Sequence, residues 1–183
     1  MSRAKQMMVL GMVAMMVFAF APSAFAKTYT KGVSTAKRVA AVNYAQKQLN
    51  DRYVWGAQGI KTWDCSGLVW IAYSKGAGVE ITPDRSRAQD IYNACPKKFG
   101  TSTGKCSYGD LVFQKNKSGD IVHIGIVKMV TVRGATDYVT LPYVVHASGT
   151  YGKVVEQPMA DFKKLCTTGK YKGYTVVGAG LNY

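Results

Sequence analysis

Acidic residues are scarce in this chain: ten Asp and Glu stand against 24 Lys and Arg, a formal net charge of +14 over 183 residues. Histidine is scarcer still, with only His123 and His146. The cysteines form no CxxC pair and the histidines no HxxxH pair, so the spacings of ordinary zinc sites are missing and neither metal nor other cofactor is expected. Recognised nucleic-acid motifs are absent and the basic residues are scattered, which argues against a nucleic-acid partner. Internal repeats, low-complexity runs and Pro/Ser-rich linkers are also lacking. One compact domain is the simplest organisation.

What is present begins with an apolar leader. Arg3 and Lys5 precede the uncharged run 7–21, and Ala24-Phe25-Ala26 has the small-x-small form of a signal-peptidase site. The run is short for a membrane span and Pro22-Ser23 interrupts it. Residues 1–26 therefore read as a cleaved signal peptide and 27–183 as the mature domain, secreted or periplasmic and without a stable membrane anchor. The residue directly after the cleavage site is Lys27 and not a cysteine, so lipid attachment is not expected. Loss of Arg3 and Lys5 leaves a charge of +12, which favours polyanionic surroundings such as a cell wall through long-range attraction.

Four cysteines occur, Cys65, Cys95, Cys106 and Cys166. An oxidising compartment permits disulfides. If Cys65 stays free, one of the other three is left over; Cys95 with Cys106, which flank a Lys-, Gly- and Thr-rich loop, is the first choice, and Cys106 with Cys166 remains open.

Periodicity predicts a helix over 35–49, a second starting at Cys65, and a short third over 87–93 after a loop at 81–86. The pattern then turns to strands: 111–113, a long hairpin of 121–132 with 138–146 around Gly134-Ala135-Thr136-Asp137, then 154–155 and 174–181. Helices first and a meander after them give an α+β class, with the helices packed on an antiparallel sheet.

The stretch Trp63-Asp64-Cys65-Ser66-Gly67-Leu68-Val69-Trp70 carries the chemistry. Asp64 suits a helix cap, which puts Cys65 in a first turn where backbone N–H groups and the helix dipole favour thiolate over thiol. Gly67 lets that helix approach its neighbours. Both histidines fall in the hairpin, and a turn centred between Gly134 and Ala135 sets His123 directly opposite His146, with Cβ atoms roughly 5 Å apart. Gly125, on the same face, would leave room for the helix carrying Cys65. A thiol, an imidazole to take its proton and a polar ring to orient that imidazole form the nucleophile, base and orienter set of acyl-transfer hydrolysis. Asp110 is expected to fix a turn, and Trp55, Trp63 and Trp70 to serve as core or groove wall.

Asp64-Cys65-Ser66-Gly67-Leu68-Val69, Gly109-Asp110-Leu111-Val112-Phe113, His123-Ile124-Gly125-Ile126-Val127 and His146-Ala147-Ser148 together resemble the ordered motifs of NlpC/P60 cysteine peptidases, as do Tyr53-Val54-Trp55-Gly56 and residues 83–89. The resemblance implies a circularly permuted papain-like fold and a thiol hydrolase acting on peptidoglycan peptides, commonly at the bond between γ-D-glutamyl and a diamino acid. It assigns Cys65 as nucleophile, His123 as base, His146 as orienting residue and Tyr53 as an aid to substrate or oxyanion binding; Asp64 and Ser66 flank the thiol within reach of substrate. His123 and His146 are further apart in sequence than is usual in that family. Other functions weighed are an N-acetylmuramoyl-L-alanine-type amidase, an antibacterial toxin of the same chemistry held by an inhibitor or immunity protein, and a non-catalytic wall-binding protein.

Overall fold

Ser34 accepts the Lys37 N–H and starts α1 (Thr35–Gln46), which buries Arg38, Ala41, Val42 and Ala45 at one-face helical spacing. Asp64 starts α2 (Cys65–Ile71), which runs on into a π-helical turn at Ala72–Gly76, and α3 is Ala88–Ala94. These elements belong to a computed structural model that describes residues 32–82, 85–95, 97–101, 105–167 and 171–181. The leader read over 1–26 lies outside the described residues, as do Pro83 and Asp84 of the motif loop.

The strands are β1 (Arg52–Tyr53), β2 (Thr62–Trp63), β3 (Lys97–Gly100), β4 (Leu111–Lys115), β5 (Ile121–Arg133), β6 (Tyr138–Ser148), β7 (Lys153–Pro158) and β8 (Thr175–Gly180), with α4 (Met159–Lys164) between the last two. They form one sheet in the order β2-β1-β7-β6-β5-β4-β8-β3, antiparallel apart from the β1–β2 pair. The class is α+β, as expected. The long hairpin and the three predicted helices are all present; β1, β2, β3 and α4 are the additions, each too short for a periodic signal.

Side-chain alternation along the strands divides the core in two. Leu111, Phe113, Ile124 and Ile126 face α1, α2 and α3, while Val112, Val127 and Val144 face α4 and its Phe162. This division corrects the expected disulfide. Cys95 lies in the first cluster and Cys106 in the second, together with Cys166, and among the described residues no disulfide joins any of the four cysteines. A Cys95–Cys106 bridge would have to join two cores that the sheet separates.

A buried polar knot ties α1 to the sheet. Arg38 donates to the Tyr108 carbonyl at 2.9 Å and stands 3.5 Å from the Asp110 carboxylate, which accepts the backbone N–H groups of Ser107 and Leu181 at 2.7 and 3.1 Å. Tyr73 donates to the Gly109 carbonyl beside it. Gly109 sits at φ +81°, and a Cβ there would come within 2.4 Å of Arg38 Cβ. Asp110 thus fixes the turn, as the sequence suggested. Arg38→Leu should lower the unfolding free energy by about 3 kcal/mol, the low end for breaking a buried pair because two backbone donors still serve the carboxylate. Urea denaturation measures this, and a loss under 1 kcal/mol would contradict it.

Candidate active site

Cys65 is the first residue of α2, and what holds it is the side chain before it. The Asp64 carboxylate accepts the Gly67 N–H at 2.6 Å, the Ser66 hydroxyl at 3.1 Å and the Gly56 N–H at 3.0 Å, and it pairs with Arg85. Asp64 and Ser66 therefore spend their polar groups on each other and on the scaffold, although both line the cavity at the thiol. Gly67 has the role expected of it: a Cβ would come within 2.3 Å of the Ala57 carbonyl oxygen, so only glycine lets α2 lie this close to the chain after β1.

The two histidines meet by a different geometry from the one the sequence suggested. The Gly134 N–H donates to the Asp137 carbonyl at 2.6 Å, closing a loop over 134–137 whose centre is one residue later than expected. Val132 faces Val139 and Ile126 faces Val145, so continuing the register puts His146 opposite Gly125 rather than His123. The displacement is an even one and keeps both rings on one face. They still bond, as diagonal neighbours, with His123 Nε2 2.8 Å from His146 Nδ1. Gly125 makes this possible. A Cβ there would come within 2.4 Å of Val144 Cγ1 and 3.2 Å of His146 Cβ, so the space it leaves is taken by β6 and not by the helix carrying Cys65.

Opposite β4, Gln114 pairs with His123 and Lys115 with Ile121, leaving Val122 as the extra residue of a bulge that re-aims the strand at the imidazole. Phe162 of α4 closes the other side, stacked on His123 at 5.9 Å and edge-on to His146 at 5.1 Å between ring centres.

Burial dominates the protonation states. It pushes the Cys65 thiol up to about 12, helped by the Asp64 charge, while the N–H groups of Ile124, Ser66 and Cys65 itself work in the opposite direction. The helix-dipole preference for thiolate is thus outweighed. Burial also lowers His123 to about 4 against the pull of Asp64, and holds His146 well below the usual imidazole range, with the His123 charge adding to the effect. At neutral pH the resting groups are a thiol and two neutral imidazoles. Among the described residues no hydrogen bond joins Cys65 to His123. The thiol lies at the Ile124 N–H, next along the chain from His123, whose Nδ1 is the ring nitrogen not committed to His146.

Two cavities flank these groups. One, of about 310 Å³, is lined by Asp64, Cys65, Ser66 and Arg85; the other, of about 400 Å³, by Tyr53, His123, Ser148 and Tyr171. Trp55, 83% exposed, and Val122 line both and stand at the junction. Tyr53 is brought into the site: burial raises its hydroxyl to about 12, with the charges of Cys65 and Asp64 adding to the rise. Trp55 is groove wall, whereas Trp63 is core. Sequence reasoning missed Arg85, Phe162 and Gln157; a buried glutamine on β7 beside His146 is the kind of polar residue in an apolar strand that could have been flagged. Among the described residues, no three His, Cys, Asp or Glu side chains group as a metal-binding set.

The profile of the NlpC/P60 family matches residues 50–164. The chain belongs to that family. The Listeria monocytogenes protein named probable endopeptidase p60 is 42% identical over 82 residues, covering 45% of this chain and 15% of the relative, so the match spans about one-seventh of the relative's length. Trichomonas vaginalis NlpC2 superposes with a TM-score of 0.55 at 22% identity, covering 82% of this chain and 50% of that one. A Staphylococcus aureus protein described as similar to lipoprotein, NLP/P60 family, gives 0.55 at 19% over 85% and 45%. The architecture is the papain-like one of NlpC/P60 domains.

Two tests follow from the histidine pair of this NlpC/P60 domain. Gly125→Ala should cost about 1–3 kcal/mol through overpacking and separate the rings; thermal denaturation and imidazole NMR report both effects, and a variant with neither would refute the close-approach reading. The second test is pH. The unfolded chain protonates both imidazoles below about 6.5, whereas the fold keeps His123 neutral down to about 4. Stability should therefore fall as pH drops from 6.5 to 4, by on the order of 2 kcal/mol for His123 once its partial exposure is discounted. His146→Asn should flatten the fall, and an equally steep profile in that variant would exclude His146 as a contributor.

Proposed function

We propose that this chain is an exported thiol hydrolase that cleaves an amide bond in the peptide stems of peptidoglycan, at the link between γ-D-glutamyl and a diamino acid. The observation that carries the reading is the hydrogen-bonded pair of neutral imidazoles, His146 on β6 and His123 on β5, the strand whose Ile124 N–H touches the thiol of Cys65. A neutral imidazole can accept a proton, and the low position of His123 keeps it neutral across the working range.

In this reading Cys65 is the nucleophile. Its sulfur attacks the amide carbonyl as its proton passes to His123 Nδ1, since the resting thiol is not ionised. The tetrahedral oxygen is stabilised by the Cys65 backbone N–H and the Tyr53 hydroxyl, His123 returns the proton to the leaving amine, and water cleaves the thioester. His146 orients His123. Asp64 and Ser66 hold the start of α2 and border the cavity in which part of the substrate lies. The cavities on either side of Trp55 and Val122 suit a peptide passing across the thiol. The leader over 1–26 and the charge of +12 left after its removal support delivery to an anionic envelope.

Incubation of reduced mature protein with purified muropeptides, followed by mass spectrometry of the products, tests the proposal. Wild type should release new peptide fragments whose masses identify the bond, and Cys65→Ala should release none. Fragments that separate glycan from intact stem would replace the endopeptidase with an amidase. Absence of cleavage by folded wild type with a titratable Cys65 thiol would overturn the hydrolase reading.

A further inference from the structure

His146 sits between two polar groups, and only one of them has been accounted for. Its Nδ1 bonds His123, but its Nε2 is buried with no partner. Gln157 of β7 lies on the same face: Val155 faces His146 across the β6–β7 ladder, and Gln157 is the next same-face residue along, opposite Val144. Gln157 is 8% exposed, and of the two ends of its amide the nitrogen is the one both buried and unpartnered. Two buried nitrogens, each an orphan, on neighbouring strands of one face are a costly arrangement. An amide has the same shape with its oxygen and nitrogen exchanged. Exchanging them puts an acceptor where the unpartnered amide nitrogen stands, on the face that Gln157 shares with His146.

We infer that Gln157 is a positioning residue whose amide oxygen accepts the Nε2–H of His146, fixing both imidazoles in the tautomer that leaves Nδ1 of His123 open to take the Cys65 proton. Each ring passes the constraint to the next. With Nε2 of His146 protonated, its Nδ1 is a lone pair and must accept, so His123 donates from Nε2 and its Nδ1 is the basic nitrogen. With the amide reversed, Gln157 would donate to Nε2 of His146, Nδ1 of His146 would donate to His123, and Nδ1 of His123 would carry a proton and could accept none. Gln157 acts to raise His146 against the larger lowering by burial and by the His123 charge, the direction expected of an accepting oxygen.

The inference rests on the hydrolase reading for its consequence but not for its test. Long-range ¹H–¹⁵N NMR of the full chain labelled with ¹⁵N-histidine reads the tautomers directly at pH 7. Both rings should carry the proton on Nε2 in wild type. In Gln157→Leu the pair should become a mixture or reverse, kcat/KM on muropeptides should fall about 10- to 100-fold, part of the roughly 10²–10⁴-fold that a positioned base supplies, and KM should stay unchanged. Gln157→Glu, which keeps an acceptor and adds a charge, should retain the wild-type tautomers and move the acid limb of the kcat/KM profile to higher pH. His123 protonated at Nδ1 in wild type, or tautomers indifferent to Gln157→Leu, would overturn the inference whether or not the protein cleaves. Wild-type tautomers as expected in a protein that cleaves nothing would uphold Gln157 as the positioning residue while rejecting the hydrolase reading.

Discussion

Everything at the site depends on how one buried carboxylate is satisfied. Asp64 is 5% exposed, and a charge taken that far from water persists only if donors surround it. The donors come from three places: Gly67 and Ser66 in the first turn of α2, Gly56 in the connection between β1 and β2, and Arg85 in the loop before α3. Satisfying Asp64 therefore draws its own helix start, the connection 8 residues before it and the loop 21 residues after it around the residue that follows it. The same charge reaches beyond its hydrogen bonds, raising Cys65 and Tyr53 and opposing the fall of His123. One side chain sets both the position of the thiol and part of its chemistry.

That dependence explains what was legible in the sequence and what was not. Asp64 as cap, Cys65 as first helical residue and Gly67 as a close-approach glycine were readable because each is a local property of consecutive residues. The pairing of His123 with His146 was readable in outcome but not in mechanism. A turn judged from Gly-Ala-Thr-Asp is uncertain by one residue, and the hydrogen bond from Gly134 to Asp137 is what sets it. The error did no harm because a one-residue move of the turn centre shifts a pairing by two, and alternation along a strand has a period of two. Arg85, Phe162 and Gln157 act through space from elements whose placement periodicity does not report. The division of Cys95 from Cys106 is likewise a property of the sheet's two faces, which loop composition cannot show.

The protonation states show how a local rule yields to its surroundings. A cysteine at the start of a helix receives dipole and N–H stabilisation worth at most a few kcal/mol, and α2 has only seven residues. Burial of the sulfur, with the Asp64 charge beside it, acts the other way and wins. The imidazoles are displaced by the same cause in the direction that leaves them uncharged. A site whose nucleophile and base both rest neutral has little charge to desolvate before substrate arrives, and it separates charge only when sulfur and carbonyl meet. Phe162 against both rings keeps water from that face.

The long separation of His123 from His146 in sequence poses no difficulty for their meeting in space. Through residues 121–126 β5 is held by β4, and through 143–148 β6 is held by β7. The intervening residues 127–142 belong to the stretch where β5 and β6 pair mainly with each other, out to the loop at 134–137. A hairpin lengthened there grows at the end away from the rings, and added residues that enter in opposed pairs leave every side chain at the base on its original face. Gly125 and the bulge at Val122 then act on a base whose register the tip does not disturb. The length of the arm and the placement of the histidine pair are consequently separate features of one hairpin.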